Sequence, residues 1–350
     1  MTNVLDYVAK YGGLTFKQKP FNEVDNLVFS LLAYLNYKKT RINENTHTLQ
    51  EIGREYVRMH SYREIAKLGI AMGGAYKMLE AAIEAPRYRD VILSDFIYDT
   101  ARNKQFCVLT FHLTPNLDYI AFEGTDQLIS GWREDFELAC SFPVPSHIEA
   151  VKYLNAHVHL FGPKVIIGGH SKGGNLALVG AMYMKRHKLW KVKTIYNNDG
   201  PGLRKAEFDS LEYDRIKPKY VHIVPHCSIV GMMMRNDVYK VVKSDRDNIV
   251  GHSIMTWEIT DDHLRRAARS EMSKEVERRL WRWLDDHDDA ERKKVLEAVF
   301  GTIEGCDILD TMSLFKFRNL VKVFRQSKEL DKESKDLVLG LFKMVAVGKK

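Results

Sequence analysis

Apolar and polar positions follow three rhythms along this chain. From Phe21 to about Pro86 the rhythm is helical. Asp25-Asn26 precedes Leu27, Val28, Leu31, Leu32 and Leu35, which is one face of a helix with a cap beside it. A second apolar-periodic stretch, Ile65 to Ile83, predicts another helix whose continuity is challenged by Gly69, Gly73 and Gly74. From Val91 to about Trp257, short β-branched and aromatic runs are separated by turn residues. Strands are predicted at Ile92–Tyr98, Phe106–Leu113 and Tyr119–Phe122, with Thr114-Pro115-Asn116-Leu117 as the turn between the last two. Further strands are predicted at Lys164–Ile167, Val192–Tyr196, Tyr220–Val224 and Val238–Val242, with a helix at Asn175–Arg186. Such alternation predicts an α/β fold with a mostly parallel sheet and helices on its faces. From Asp261 onward the pattern is helical again. It comprises a charged stretch, Glu271–Leu284, with a Leu280/Trp281/Leu284 edge, and apolar-periodic stretches at Leu314–Phe324 and Leu337–Val345. The charge density of this last region fits a solvated helix surface.

The sharpest chemical signal lies where a strand gives way to a helix. Val165-Ile166-Ile167-Gly168-Gly169-His170-Ser171-Lys172-Gly173-Gly174-Asn175-Leu176-Ala177 contains G-x-S-x-G at Gly169, Ser171 and Gly173. An apolar strand precedes the motif and an apolar helix follows it, which is the setting of a nucleophile elbow. The serine must project from a strained turn, and small residues on either side let two backbone segments approach. The helix N-terminus then offers N–H groups and a positive dipole end to a developing oxyanion. A phosphate-binding loop would require G-x-x-x-x-G-K-[ST] or G-x-G-x-x-G, and neither is present. The motif predicts an α/β-hydrolase fold in three parts: residues 1–90 as a helical segment packed on the core, 91–260 as the core, and 261–350 as a helical region.

Other segments carry a family resemblance. Tyr119-Ile120-Ala121-Phe122-Glu123-Gly124-Thr125-Asp126, followed by Gly131-Trp132-Arg133-Glu134-Asp135-Phe136, resembles the A-F-R-G-T…D-W…D-L segment of the class 3 (triacylglycerol) lipases. With the Gly-His-Ser-Lys-Gly-Gly-Asn-Leu-Ala run, Phe21–Leu27 and Asn198-Asp199-Gly200-Pro201-Gly202, it is similar to a bacterial family of lipase-like α/β-hydrolases. The resemblance spans roughly residues 20 to 260. It implies an oxyanion hole built from the backbone N–H of Thr125 and of Lys172, the residue after the nucleophile. Trp132 and Asp135 are expected to fix the fold. Glu123 departs from the lipase pattern, where arginine is usual, and changes the charge beside the site.

The base should follow the nucleophile and the acid in chain order. His252, in Gly251-His252-Ser253-Ile254-Met255-Thr256-Trp257, satisfies that order. His226 is its main rival, and His170 is expected to point away from Ser171. Class 3 lipases carry the acid after the strand placed here at Tyr220–Val224, but Pro225-His226-Cys227-Ser228-Ile229-Val230 contains no carboxylate. Ser228 occupies the expected place. One strand earlier, Asp199 ends a strand in a turn resembling the D-P-A-G-P turn of pancreatic-type lipases, and it is the preferred acid. Its other role would be an Asx turn, and Asp237, Asp245 and Asp247 remain open.

Composition narrows the setting. The chain has 350 residues, 45% hydrophobic and 28% charged, enough for a sizeable core and unlike a disordered chain. No apolar run reaches the roughly 18 residues of a membrane span, and Met1 to Lys10 lacks the layout of a secretory signal. Cys107, Cys140, Cys227 and Cys306 are scattered, as expected of reduced thiols in a cytoplasmic protein. The net charge of +7 is spread among acids with no aromatic-bearing basic stripe, so nucleic acid is not an expected partner, whereas membrane-surface contact is compatible. No metal or organic cofactor is expected, because no clustered His/Cys ligand set is visible. The acyl pocket is not legible directly: Ile229–Met234 is expected to be ordinary core, with an acyl-pocket lining as the alternative, and Leu203–Lys219 reads as a lid or cap over the site or as a polar surface loop. Two functions follow: an esterase of lipase-like type acting on a lipid or small acyl ester, or a non-catalytic hydrolase-fold protein that binds a ligand or partner.

Overall fold

The computed structural model describes residues 2–101, 104–125 and 137–304. Trp132, Asp135 and the helices expected at Leu314–Phe324 and Leu337–Val345 lie outside the described residues.

Eight strands form one sheet in sequential order: β1 (His47–Thr48), β2 (Ile92–Ala101), β3 (Lys104–Thr114), β4 (Leu117–Phe122), β5 (Lys164–His170), β6 (Val192–Asn198), β7 (Tyr220–Pro225) and β8 (Lys240–Val242). The first four pair antiparallel, and β4 through β8 are parallel. A two-residue period sorts their side chains between two buried faces. Leu109, Phe111, Tyr119 and Ile166 face the N-terminal helices. Val108, Ile120, Val165 and Ile167 face the other layer, which includes the helices Pro145–His157 and Lys172–Tyr183. With helices over both faces and a strand–serine–helix turn at its centre, this is an α/β-hydrolase fold.

The N-terminal layer corrects one expectation. Asp25-Asn26 does not cap the helix Glu23–Leu32; Asn22 does, accepting from the N–H groups of Val24 and Asp25 while the Asp25 carboxylate receives the Asn22 N–H. Asp25 and Asn26 lie inside the first turn and are buried. Asn26 donates to Asn198 at 2.8 Å and accepts from Tyr119 at 2.7 Å, tying this helix to the end of β6. The stretch from Ile65 to Ile83 is also divided. Helices Tyr62–Lys67 and Ile70–Ala82 meet at Gly69, whose φ of 140° is open to glycine and rarely to other residues.

The Leu203–Lys219 segment forms two short helices, Lys205–Phe208 and Leu211–Ile216, and buries Tyr213 and Ile216 in the core. Met232 is likewise core, packed with Val224, Val276 and Leu280, so the charged helix Glu271–Asp286 docks on the β7 side of the sheet.

Candidate active site

The parallel register sets the site. Phe122 pairs with Gly169, His170 with Asn198, and Asn198 with Ile223. The C-terminal ends of β4, β5, β6 and β7 therefore stand side by side at the spacing of a sheet. Glu123–Thr125, Ser171, Asp199 and Ser228 follow them on the edge where α/β sheets bind ligands.

Ser171 holds φ 57° and ψ −132°, and its helix begins at Lys172. A side-chain-bearing residue in this region costs about 1–3 kcal/mol and persists only where its surroundings enforce it. Here the Ser171 N–H continues the ladder to the Asn198 carbonyl at 2.9 Å, while its own carbonyl accepts from the Gly174 N–H at 2.9 Å. Gly173 allows the helix to abut the end of β4, because a Cβ there would lie 2.2 Å from the Phe122 carbonyl oxygen. Gly124 is pressed equally hard, since its Cβ would fall 2.5 Å from the His170 carbonyl oxygen. These two contacts bring the Gly124-Thr125 backbone against the elbow. Lys172 sends its side chain away, donating from Nζ to the Gln105 carbonyl at 2.8 Å. Its backbone N–H stands in the first turn of the helix, where amides have no intrahelical acceptor.

His252 ends the short 3-10 turn Ile249–His252, and the loop is pinned by Trp257, whose Nε1–H donates to the Gly251 carbonyl at 2.9 Å. His252 Nδ1 lies 2.7 Å from Asp199 Oδ2. A carboxylate facing Nδ1 places the proton there and leaves Nε2 as the acceptor. Asp199 is fully buried at φ 52° and accepts on Oδ1 from the Ser228 hydroxyl and, at 3.2 Å, from the Gly231 N–H. The loop after β6 is closed by Asn197, whose Oδ1 accepts from the Gly200 N–H at 2.8 Å. Burial pushes the Asp199 carboxyl up, and the Ser228 and Gly231 donors oppose that push. Burial also holds the His252 imidazole below its ordinary value. Among the described residues no hydrogen bond joins Ser171 Oγ to His252; such contacts are often long before substrate binds.

The rival residues have other partners. His226 pairs with Asp247 at 2.6 Å, and Asp237 receives the Tyr213 hydroxyl at 2.7 Å. Asp245 lies 3.6 Å from Arg246.

His170 packs beside the candidate base. Its ring centroid is 4.4 Å from that of His252, and its Nε2 lies 2.8 Å from the His252 carbonyl oxygen. A carbonyl can only accept, so Nε2 carries the proton and Nδ1 accepts from the Tyr34 hydroxyl at 2.6 Å. Burial, followed by the neighbouring His252, lowers the His170 pKa to about 3 and keeps the ring neutral. Tyr34 and Gly231 are contacts that no sequence motif marks, whereas His170 stands in the sequence as the neighbour of the nucleophile. Ser228 had also left a signal, as a hydroxyl standing where an acid was expected.

The profile of the Mbeg1-like family matches residues 82–301. Among solved structures, the chain is similar to one described as M37 lipase, with 16% identity over 61% of this chain and 70% of that one and a TM-score of 0.33. It is also similar to a fungal lipase in complex with an inhibitor, presented as a model for interfacial activation in lipases. There the identity is 16% over 49% of this chain and 70% of that one, with a TM-score of 0.35. No curated protein matches the chain significantly.

Proposed function

We propose that this chain, which belongs to the Mbeg1-like family, is a serine hydrolase that cleaves carboxylic esters through an acyl-enzyme on Ser171. The observation that carries this reading is the 2.7 Å contact between His252 Nδ1 and the buried Asp199 carboxylate on the sheet edge that holds the strained Ser171. A histidine oriented in this way has one nitrogen free to accept a proton, and a carboxylate behind it to stabilise the charge it gains.

In the first step His252 Nε2 takes the Ser171 proton as Oγ attacks the ester carbonyl. The backbone N–H groups of Thr125 and Lys172 stabilise the oxyanion. The imidazolium then protonates the departing alcohol, and a water activated by the same histidine releases the acid. A thioester, or transfer of the acyl group to another acceptor, uses the same machinery. Cys107 and Cys227 are free thiols, and a reducing, cytoplasmic setting is part of this reading.

The test is covalent labelling with a fluorophosphonate, comparing the unmodified protein with Ser171→Ala and His252→Ala. Labelling that is lost in both variants is the expected result. A folded, unmodified protein that stays unlabelled, with detergent and lipid each tried, would instead support a non-catalytic ligand-binding role.

A further inference from the structure

A cavity of about 850 Å³ lies between the N-terminal helices and the sheet edge that carries Ser171. Its volume is that of a site for a small organic ligand. Its inner end borders the candidate active site through three residues. Glu123 is two positions before Thr125, Tyr34 holds His170, and Met255 follows His252 by three positions. Between the ends the wall is largely apolar, with the buried Tyr56 and Met72 contributing. At the outer end Leu68 and Ile70 are 55% and 40% exposed, a large apolar exposure for a cavity lip.

Three lysines converge on the same cavity from three elements: Lys39 from the 3-10 turn Tyr37–Lys39, Lys67 from the helix Tyr62–Lys67, and Lys77 from the helix Ile70–Ala82. All three are exposed, and among the described residues none forms an ion pair with a carboxylate. Lys77 instead sits 4.9 Å from the centre of the Tyr62 ring. Exposed lysines elsewhere do find acids, as Lys10 does with Asp261 and Lys274 with Glu271. The acid in the described lining, Glu123, is 5% exposed, whereas the three lysines are exposed to solvent.

We infer that this cavity receives the apolar chain of the substrate and that Lys39, Lys67 and Lys77 hold an anionic group on it, so that the substrate class is an anionic amphiphile. The inference rests on Ser171 being the nucleophile. An apolar interior removes a hydrocarbon chain from water. Cations that make no direct ion pair at the mouth lose no salt bridge when an anion arrives, Glu64 acting on Lys67 only through space, and their ammonium groups suit a phosphate or a carboxylate equally.

The experiment measures binding of decyl phosphate, decanoate and decanol to the full chain by calorimetry, alongside fluorophosphonate labelling of the same preparation. Both anions are expected to bind about tenfold more tightly than the alcohol, as three exposed charge pairs allow. That preference is expected to shrink when ionic strength is raised to about 0.5 M, and to vanish in the triple variant Lys39→Gln, Lys67→Gln, Lys77→Gln. A preference for decyl phosphate alone narrows the class to phosphate esters. Equal affinity for anion and alcohol, or a preference untouched by both salt and the triple variant, overturns the inference while leaving labelling of Ser171 intact. Absent labelling with the anion preference intact overturns the catalytic reading and leaves a binding site for anionic amphiphiles.

Discussion

Asp25, in the N-terminal helices, and Asp199, at the end of β6, are both 0% exposed, yet they are buried among different partners. Asp25 meets a permanent cation. Arg87 grips both of its oxygens, Nε at 2.7 Å and a terminal nitrogen at 2.6 Å, and the Tyr88 hydroxyl adds a third donor at 2.7 Å. The remaining guanidinium donors are taken up by backbone carbonyls, including those of Lys19 at 2.8 Å and Leu14 at 3.0 Å. A guanidinium does not give up its proton, so this network fixes the first helices and carries no proton chemistry. Among the described residues Asp199 meets no permanent cation. Its donors are a hydroxyl, a backbone N–H and an imidazole, and the imidazole alone can gain or lose a proton. Equal burial thus serves architecture where the partner's charge is fixed, and suits catalysis where the partner titrates.

The comparison breaks most sharply at the two carboxylates' partners. Asp199→Asn is expected to lower kcat/KM for a short ester by about 10⁴-fold, because the amide no longer orients His252 or balances its charge. The unfolding midpoint should change little, so a large loss of stability instead would assign Asp199 to architecture. Arg87→Ala should do the opposite. It leaves a buried carboxylate without its cation, at a cost of about 3–5 kcal/mol in denaturant unfolding, while the labelling rate per folded molecule is preserved. A smaller effect is expected for Ser228→Ala, which removes one of Asp199's donors: about a tenfold fall in kcat, with binding of the anionic amphiphile unchanged.

The pH profile sharpens the same contrast. The base must be neutral to accept the Ser171 proton, so kcat/KM rises with pH through the His252 titration. Burial lowers that imidazole, and the acid limb should therefore fall below the ordinary value of about 6.5. A limb centred above that value would mean that Asp199 stabilises the imidazolium more than burial opposes it.

Much of the sheet was legible because each strand is a short apolar run bounded by turn residues. The errors were mostly at the ends. β5 extends through Gly168-Gly169-His170 and β2 through Ala101, where neighbouring strands supply the hydrogen bonds that local propensity does not suggest. The Asp25-Asn26 pair looked like a cap because isolated Asp and Asn favour helix starts. Their burial against Arg87 and Asn198 depends on residues more than 60 positions away, which no local pattern encodes.

By itself, the sequence determined the strand-to-helix turn at Ser171. Glycines at 169 and 173 between an apolar strand and an apolar helix permit a close, strained approach that few other residues allow. It also determined which groups were available as acid and base. Only the tertiary structure decided their pairing: Asp199 with His252 and Ser228, His226 with Asp247, and Tyr34 through His170 to the His252 backbone. The reason is physical. A strand's side-chain pattern follows from its own residues, whereas a hydrogen bond between the ends of different strands depends on the register with which separate segments of chain are laid side by side.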